Sequence, residues 1–142
     1  MRIADVLRNK GSAVATVEPH VTVTELLAGL AQQNIGAMVV VDSDAVVGIV
    51  SERDIVRKLN EHGADLLAQP VSAIMTVVAV TCTPRDAVDL LSGLMTDNRV
   101  RYVPVIQDGK LAGIVSTGDV VKTRMDELGA EREQLQTYIT RG

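Results

Sequence analysis

Two stretches of this chain place a serine and an aspartate where together they could hold a phosphorylated sugar. Gly48-Ile49-Val50-Ser51-Glu52-Arg53-Asp54 recurs 65 residues later as Gly113-Ile114-Val115-Ser116-Thr117-Gly118-Asp119. In each copy an apolar β-branched run ends at the serine and a helical pattern begins at once. A helix N-terminus carries free N–H groups and partial positive charge, which suits phosphate. Ser51 or Ser116 adds a hydroxyl donor there, and the acid one turn on, Asp54 or Asp119, can accept hydrogen bonds from a ribose diol. The same spacing is also a capping box, in which serine and acid satisfy the helix start. Taken alone, the motif supports both readings.

The surrounding elements repeat with the motif. Met38-Val39-Val40-Val41 aligns with Val103-Pro104-Val105-Ile106 at the same offset. Each half begins with a β-branched stretch, residues 13–17 and 77–81. A helical pattern follows over 23–34 and 84–98, with Leu26, Leu27, Leu30 and Ala31, then Val88, Leu91, Leu94 and Met95, at helical spacing. Compared from Glu25 to Ile35 and from Asp86 to Val100, the second of these helices reads four residues longer, about one turn, with Pro84 suited to its first turn. Two apolar runs joined by a turn come next, 36–41 with 46–50 and 102–106 with 111–115. Asp108-Gly109 between such runs is a hairpin signal. Runs apolar on both faces suit strands covered on both sides. A closing helix ends each half. Short segments of like pattern, Ile3 to Leu7 and Val71 to Met75, precede the halves. The expected division is 1–63 for the first repeat, 64–128 for the second and 129–142 for a helical tail. Neither half, at about 70 residues, builds a stable core alone, so the two should pack together.

Composition narrows the function. A formal charge of −4 gives no general attraction to nucleic acid or anionic membrane. The chain lacks Phe and Trp and has two Tyr, too few for a base-stacking platform. Cys82 is the only cysteine, leaving no internal disulfide and no cysteine-built zinc site. His20 and His62 have no ligand-spaced partner. No apolar run spans a bilayer and no signal segment is visible, so a cytoplasmic location is expected. There is no glycine-rich phosphate loop with Lys-Ser/Thr, and no Ser-His-Asp constellation is readable. An enzyme is not expected.

The doubled motif, with Thr22-Val23-x-Glu25, Asp86-Ala87-Val88 and Arg99-Val100-Arg101-Tyr102-Val103-Pro104-Val105, resembles the CBS (cystathionine β-synthase-like) domain family over essentially the whole chain, specifically a stand-alone pair, or Bateman module. That resemblance implies an α/β fold of two β-α-β-β-α repeats related by a pseudo-two-fold axis, sheets packed together and helices outside. It also implies two inter-repeat clefts able to take AMP, ADP, ATP, NAD or S-adenosylmethionine. Carried onto this chain, Asp54 and Asp119 hold ribose, while Ser51, Ser116 and Thr117 face phosphate. Adenine lies near Val17 and Val80, and Pro104, within the matched Arg99 to Val105 stretch, is carried over as a ligand-binding residue. The copies differ at Arg53, Arg99 and Arg101, candidates for phosphate contact because guanidinium suits phosphate; the bland reading is solvated surface arginine.

The implied role is a regulatory sensor acting in signal transduction through an unidentified protein effector or through oligomerisation. Met125, Leu128, Leu135 and Ile139 recur at roughly heptad spacing in the tail, and with the family's habit of pairing they point to a homodimer. The rival reading is a structural or protein-interaction module with vestigial clefts, in which Ser-x-x-Asp only caps helices.

Overall fold

The computed structural model describes residues 1–141. The chain runs α1 (Ile3–Lys10), β1 (Thr16–Val17), α2 (Val23–Gln33), β2 (Ala37–Asp42), β3 (Ala45–Ser51), α3 (Glu52–His62), β4 (Thr76–Val77), α4 (Val88–Asn98), β5 (Tyr102–Gln107), β6 (Lys110–Ser116) and α5 (Thr117–Arg141), with 3₁₀ turns at Gly63–Ala68 and Val71–Ala73. One sheet has the order β1-β2-β3-β4 and the other is the β5–β6 hairpin. The internal repeat is carried into the backbone. β1 runs parallel to β2 through Val17 opposite Val40, and Cys82 bridges Val105 in parallel at the corresponding place. Both hairpins carry a register shift, after Val40 and after Val105. Both close through two residues at positive φ, Ser43-Asp44 and Asp108-Gly109, as the two-residue turns that match strand twist require.

The long helices are equal. α2 and α4 each span eleven residues, so the extra turn expected in the second helix is absent, and Pro84 lies before α4 and not in its first turn. The reason is local. The carbonyls of Pro84 and Asp86 accept hydrogen bonds from the Ala4 and Ile3 amides at 2.9 Å each, and Asp86 Oδ2 accepts from the Thr83 amide at 2.8 Å. Those residues form a turn that satisfies the free start of α1.

The two short leading segments change places. Ile3, Val6 and Leu7 of α1 are buried with Val88, Leu91, Val103, Val105 and Val115 of the second half. Leu66, Val71 and Ile74 are buried with Val23, Leu26, Val40 and Val50 of the first. Each half therefore completes its core with the segment that leads into the other half in sequence. This exchange sets the motif glycines. A Cβ on Gly48 would stand 2.7 Å from Met75 Sδ and 2.9 Å from the Thr76 carbonyl oxygen, and one on Gly113 would stand 2.7 Å from Leu7 Cδ2. Only glycine leaves room for the crossing segment.

Candidate functional site

The two Ser-x-x-Asp copies start helices in the same way. The Ser51 amide donates to Asp54 Oδ2 at 2.8 Å and the Asp54 amide donates to Ser51 Oγ at 3.3 Å. In the second copy the Ser116 amide donates to Asp119 Oδ2 at 2.8 Å and the Asp119 amide to Ser116 Oγ at 3.1 Å. The Glu52 and Thr117 amides donate to the carbonyls of Gly36 and Arg101, each at 2.9 Å. Both motifs are thus genuine caps, and each carboxylate keeps Oδ1 aside from the cap.

What stands around the caps differs. Asp54 opens onto a cavity of about 330 Å³ lined by Ile49, Ser51, Arg53, Arg57, Val80, Arg99, Arg101 and Tyr102, with the chain from Thr76 to Ala79 along one wall. That volume is at the lower end of the range for small-molecule sites. Its walls come from α3, from the segment after β4 and from the end of α4, so both halves contribute. Four guanidinium groups face one carboxylate. None of Arg53, Arg57, Arg99 and Arg101 has an ion-pair partner among the described residues. Among the described residues Asp54 Oδ1 meets only the Thr76 hydroxyl, at 3.5 Å.

Arg99 reaches the cavity from an unusual backbone position. It caps α4 in the left-handed region at φ 54°, ψ 39°, where Gly or Asn is the ordinary choice. Asn34 holds the matching place after α2 at φ 52°. An arginine there costs backbone energy that an asparagine would largely avoid.

At Asp119 the surroundings are closed by charge. Lys10 Nζ lies 2.7 Å from Asp119 Oδ2 and 2.9 Å from the Ile114 carbonyl oxygen. Burial opposes ionisation of Asp119, but the Lys10 hydrogen bond, the Ser116 amide and the Lys10 charge more than offset it and hold the carboxyl below its ordinary value.

Of the residues singled out in the sequence, Ser51, Arg53, Asp54, Val80, Arg99 and Arg101 converge on one cavity. Ser116, Thr117 and Asp119 lie at the second helix start, where Thr117 Oγ1 donates to the Arg101 carbonyl at 3.3 Å. Val17 is apart from the Asp54 cavity. It pairs in β1 and borders a shallow depression with Glu18, Val41 and Asp44, and its counterpart at the repeat offset is Cys82, not Val80. Pro104 is buried in β5 and uses its carbonyl to accept from the Cys82 amide at 3.1 Å. Arg57, Thr76 and Tyr102 join the cavity, although the sequence motifs do not mark them as ligand residues. Arg57 was readable, four residues after Arg53 on one helical face. Tyr102 gives the cleft an aromatic wall in addition to the aliphatic one at Val80. Cys82 is buried, and burial followed by the nearby Asp86 charge pushes its thiol up to about 12, far from the range of a reactive thiolate. Among the described residues no group of three His, Cys, Asp or Glu could hold a metal ion, and no helix is long and apolar enough to cross a membrane.

Comparison with known proteins places this geometry. The family model for the CBS domain matches twice, over residues 3–61 and 71–126. A mitochondrial CBS domain-containing protein of Arabidopsis thaliana is 37% identical, the match covering 99% of this chain and 72% of the relative. The crystal structure of a CBS-domain containing protein from Agrobacterium tumefaciens is 44% identical with a TM-score of 0.83, covering 87% of this chain and 99% of that one. A CBS domain protein from Pyrobaculum aerophilum, solved as a complex with AMP, is 25% identical with a TM-score of 0.73, covering 84% of this chain and 89% of that one.

Proposed function

The chain belongs to the CBS domain family, and from that premise we propose that it is a regulatory module whose Asp54 cleft binds an adenine nucleotide bearing more than one phosphate. The observation that carries this reading is the convergence of Arg53, Arg57, Arg99 and Arg101 on a cavity whose one lining acid is Asp54. Asp54 keeps Oδ1 for a ribose hydroxyl while Oδ2 serves the cap. Val80 and Tyr102 offer an apolar and an aromatic wall to adenine. The start of α3 and the arginines face the phosphates. A monophosphate would leave part of this positive charge unmatched, whereas a di- or triphosphate matches it. NAD has a pyrophosphate diester but no terminal phosphate and so carries less negative charge, which leaves ADP and ATP preferred over AMP, NAD and S-adenosylmethionine.

Binding at a cleft built from both halves biases their arrangement only through differential affinity for two states. The module passes that bias to a partner protein, or to a second copy through α5, and carries out no reaction itself. Val121, Met125, Leu128, Leu135 and Ile139 are all exposed on α5 and support a homodimer.

A thermal-shift panel of AMP, ADP, ATP, NAD and S-adenosylmethionine tests the assignment. Ligand at a hundredfold excess over Kd stabilises the fold by about 2.7 kcal/mol. The largest shift is expected with ATP or ADP. No shift with any of the five would instead favour an interaction module in which Ser-x-x-Asp only caps.

A further inference from the structure

Lys10 pairs with the Asp119 carboxylate that corresponds to the ribose acid of the first cleft, and we infer that this one residue decides which of the two clefts accepts nucleotide. The inference rests on the nucleotide reading of the Asp54 cleft. The ammonium contacts both Asp119 Oδ2 and the Ile114 carbonyl. The first cleft has no equivalent among the described residues, because the residue at the repeat offset from Lys10 is Met75, whose sulfur lies over Gly48.

The backbone differs in step. Thr76 and Val77 pair with Ile49 and Gly48 as strand β4. In the other half Gly11, at φ 97°, turns the chain at the end of α1, and among the described residues no strand joins the free side of β6. The Lys10 ammonium supplies a donor to the Ile114 carbonyl on that side. Lys10 is also firmly carried, since Ile3, Val6 and Leu7 of the same helix are buried in the second core. Lys10 holds Oδ2, the cap oxygen, so a ribose hydroxyl at Oδ1 would meet a carboxylate whose charge is already paired and which accepts more weakly than the unpaired Asp54. The rest of the second cleft offers little in return. Arg53, Arg99 and Arg101 correspond to Gly118, Asn34 and Gly36, and Arg57 alone keeps a cationic counterpart, Lys122.

The test is isothermal titration with AMP, whose single phosphate asks least of the poorer cleft. Lys10→Met gives the second half the residue the first half already has, and Lys10→Gln is the second variant should the first fold poorly. The wild type is expected to take one AMP per chain and Lys10→Met two. In an Asp54→Asn background, which removes the first cleft's acid, adding Lys10→Met should raise affinity about tenfold or more. Equal affinity of Asp54→Asn with and without the Lys10 change, in folded protein, overturns the inference, as does a wild type that takes two. A wild type whose AMP and ATP binding are both insensitive to Asp54→Asn overturns the nucleotide reading of the first cleft instead.

Discussion

Leu7 of α1 lies so close over Gly113 of β6 that a Cβ there would stand 2.7 Å from Leu7 Cδ2. The glycine of the second motif copy is therefore set by packing across the exchanged segments, not by the turn chemistry that usually calls for glycine. Its φ is not among the positive ones.

Gly113→Ala should lower stability by about 1–3 kcal/mol, the usual cost of overpacking, and Leu7→Ala in the same chain should recover part of that loss. Gly93 is the contrast. It lies mid-helix in α4, where an added Cβ would meet nothing within 4 Å, so Gly93→Ala should stabilise by about 0.5–1 kcal/mol. Urea unfolding of these variants beside the wild type checks both signs.

Arg99→Asn separates function from stability. Asparagine suits the left-handed cap that Arg99 occupies, so the melting temperature should hold or rise slightly. Loss of one guanidinium should weaken ATP by about tenfold, on the scale of one charge-assisted hydrogen bond. A parallel drop in melting temperature and affinity would assign Arg99 to the helix end and not to the ligand.

The Lys10–Asp119 pair has a pH signature. The Asp119 carboxyl is held below its ordinary value of 3.8 in the folded protein, so folding favours its charged form. That contribution is fully present above the ordinary value and is lost as pH falls through the lowered one. The pair is partly exposed, with side chains 30% and 21% accessible, so it contributes under about 1 kcal/mol. Melting temperatures of wild type and Lys10→Met should differ by a small constant amount above the ordinary carboxylate range and converge as pH falls through the lowered Asp119 value. A gap that widens in acid would contradict the assignment.

The repeat was legible because its two copies keep a single offset from the β1 pairing through the long helices to the hairpin shifts, with strand β4 left without a counterpart among the described residues. Asp54 and three of its four arginines followed from it. The false extra turn of α4 arose because Asp86-Ala87-Val88 continues the helical pattern, while the partners that pull Pro84 and Asp86 into a turn are the amides of Ala4 and Ile3, far away at the start of the chain. Lys10 escaped for the same reason. Its partner Asp119 is 109 residues distant, and no local pattern joins them. Val17 sits in a β-branched run like the one that carries Val80, yet the wall at Val80 corresponds to Ala15 at the repeat offset.

The exposed apolar residues of α5 make oligomeric state a clean test. Leu135 and Ile139 are 63% and 74% accessible, and Leu135→Glu with Ile139→Glu touches no core residue. Sedimentation should show a dimer for the wild type and a monomer for the double variant with an unchanged melting curve at low concentration. Identical sedimentation of the two would remove α5 as the pairing element.

Asp54 and its four arginines stand or fall together as a polyphosphate nucleotide site. Isothermal titration of the wild type and Asp54→Asn with ATP and with AMP tests this most directly. The expected result is ATP binding tighter than AMP by about tenfold or more, and loss of about tenfold or more for both nucleotides in the variant. AMP binding as tightly as ATP, or ATP affinity untouched by Asp54→Asn in folded protein, would contradict it.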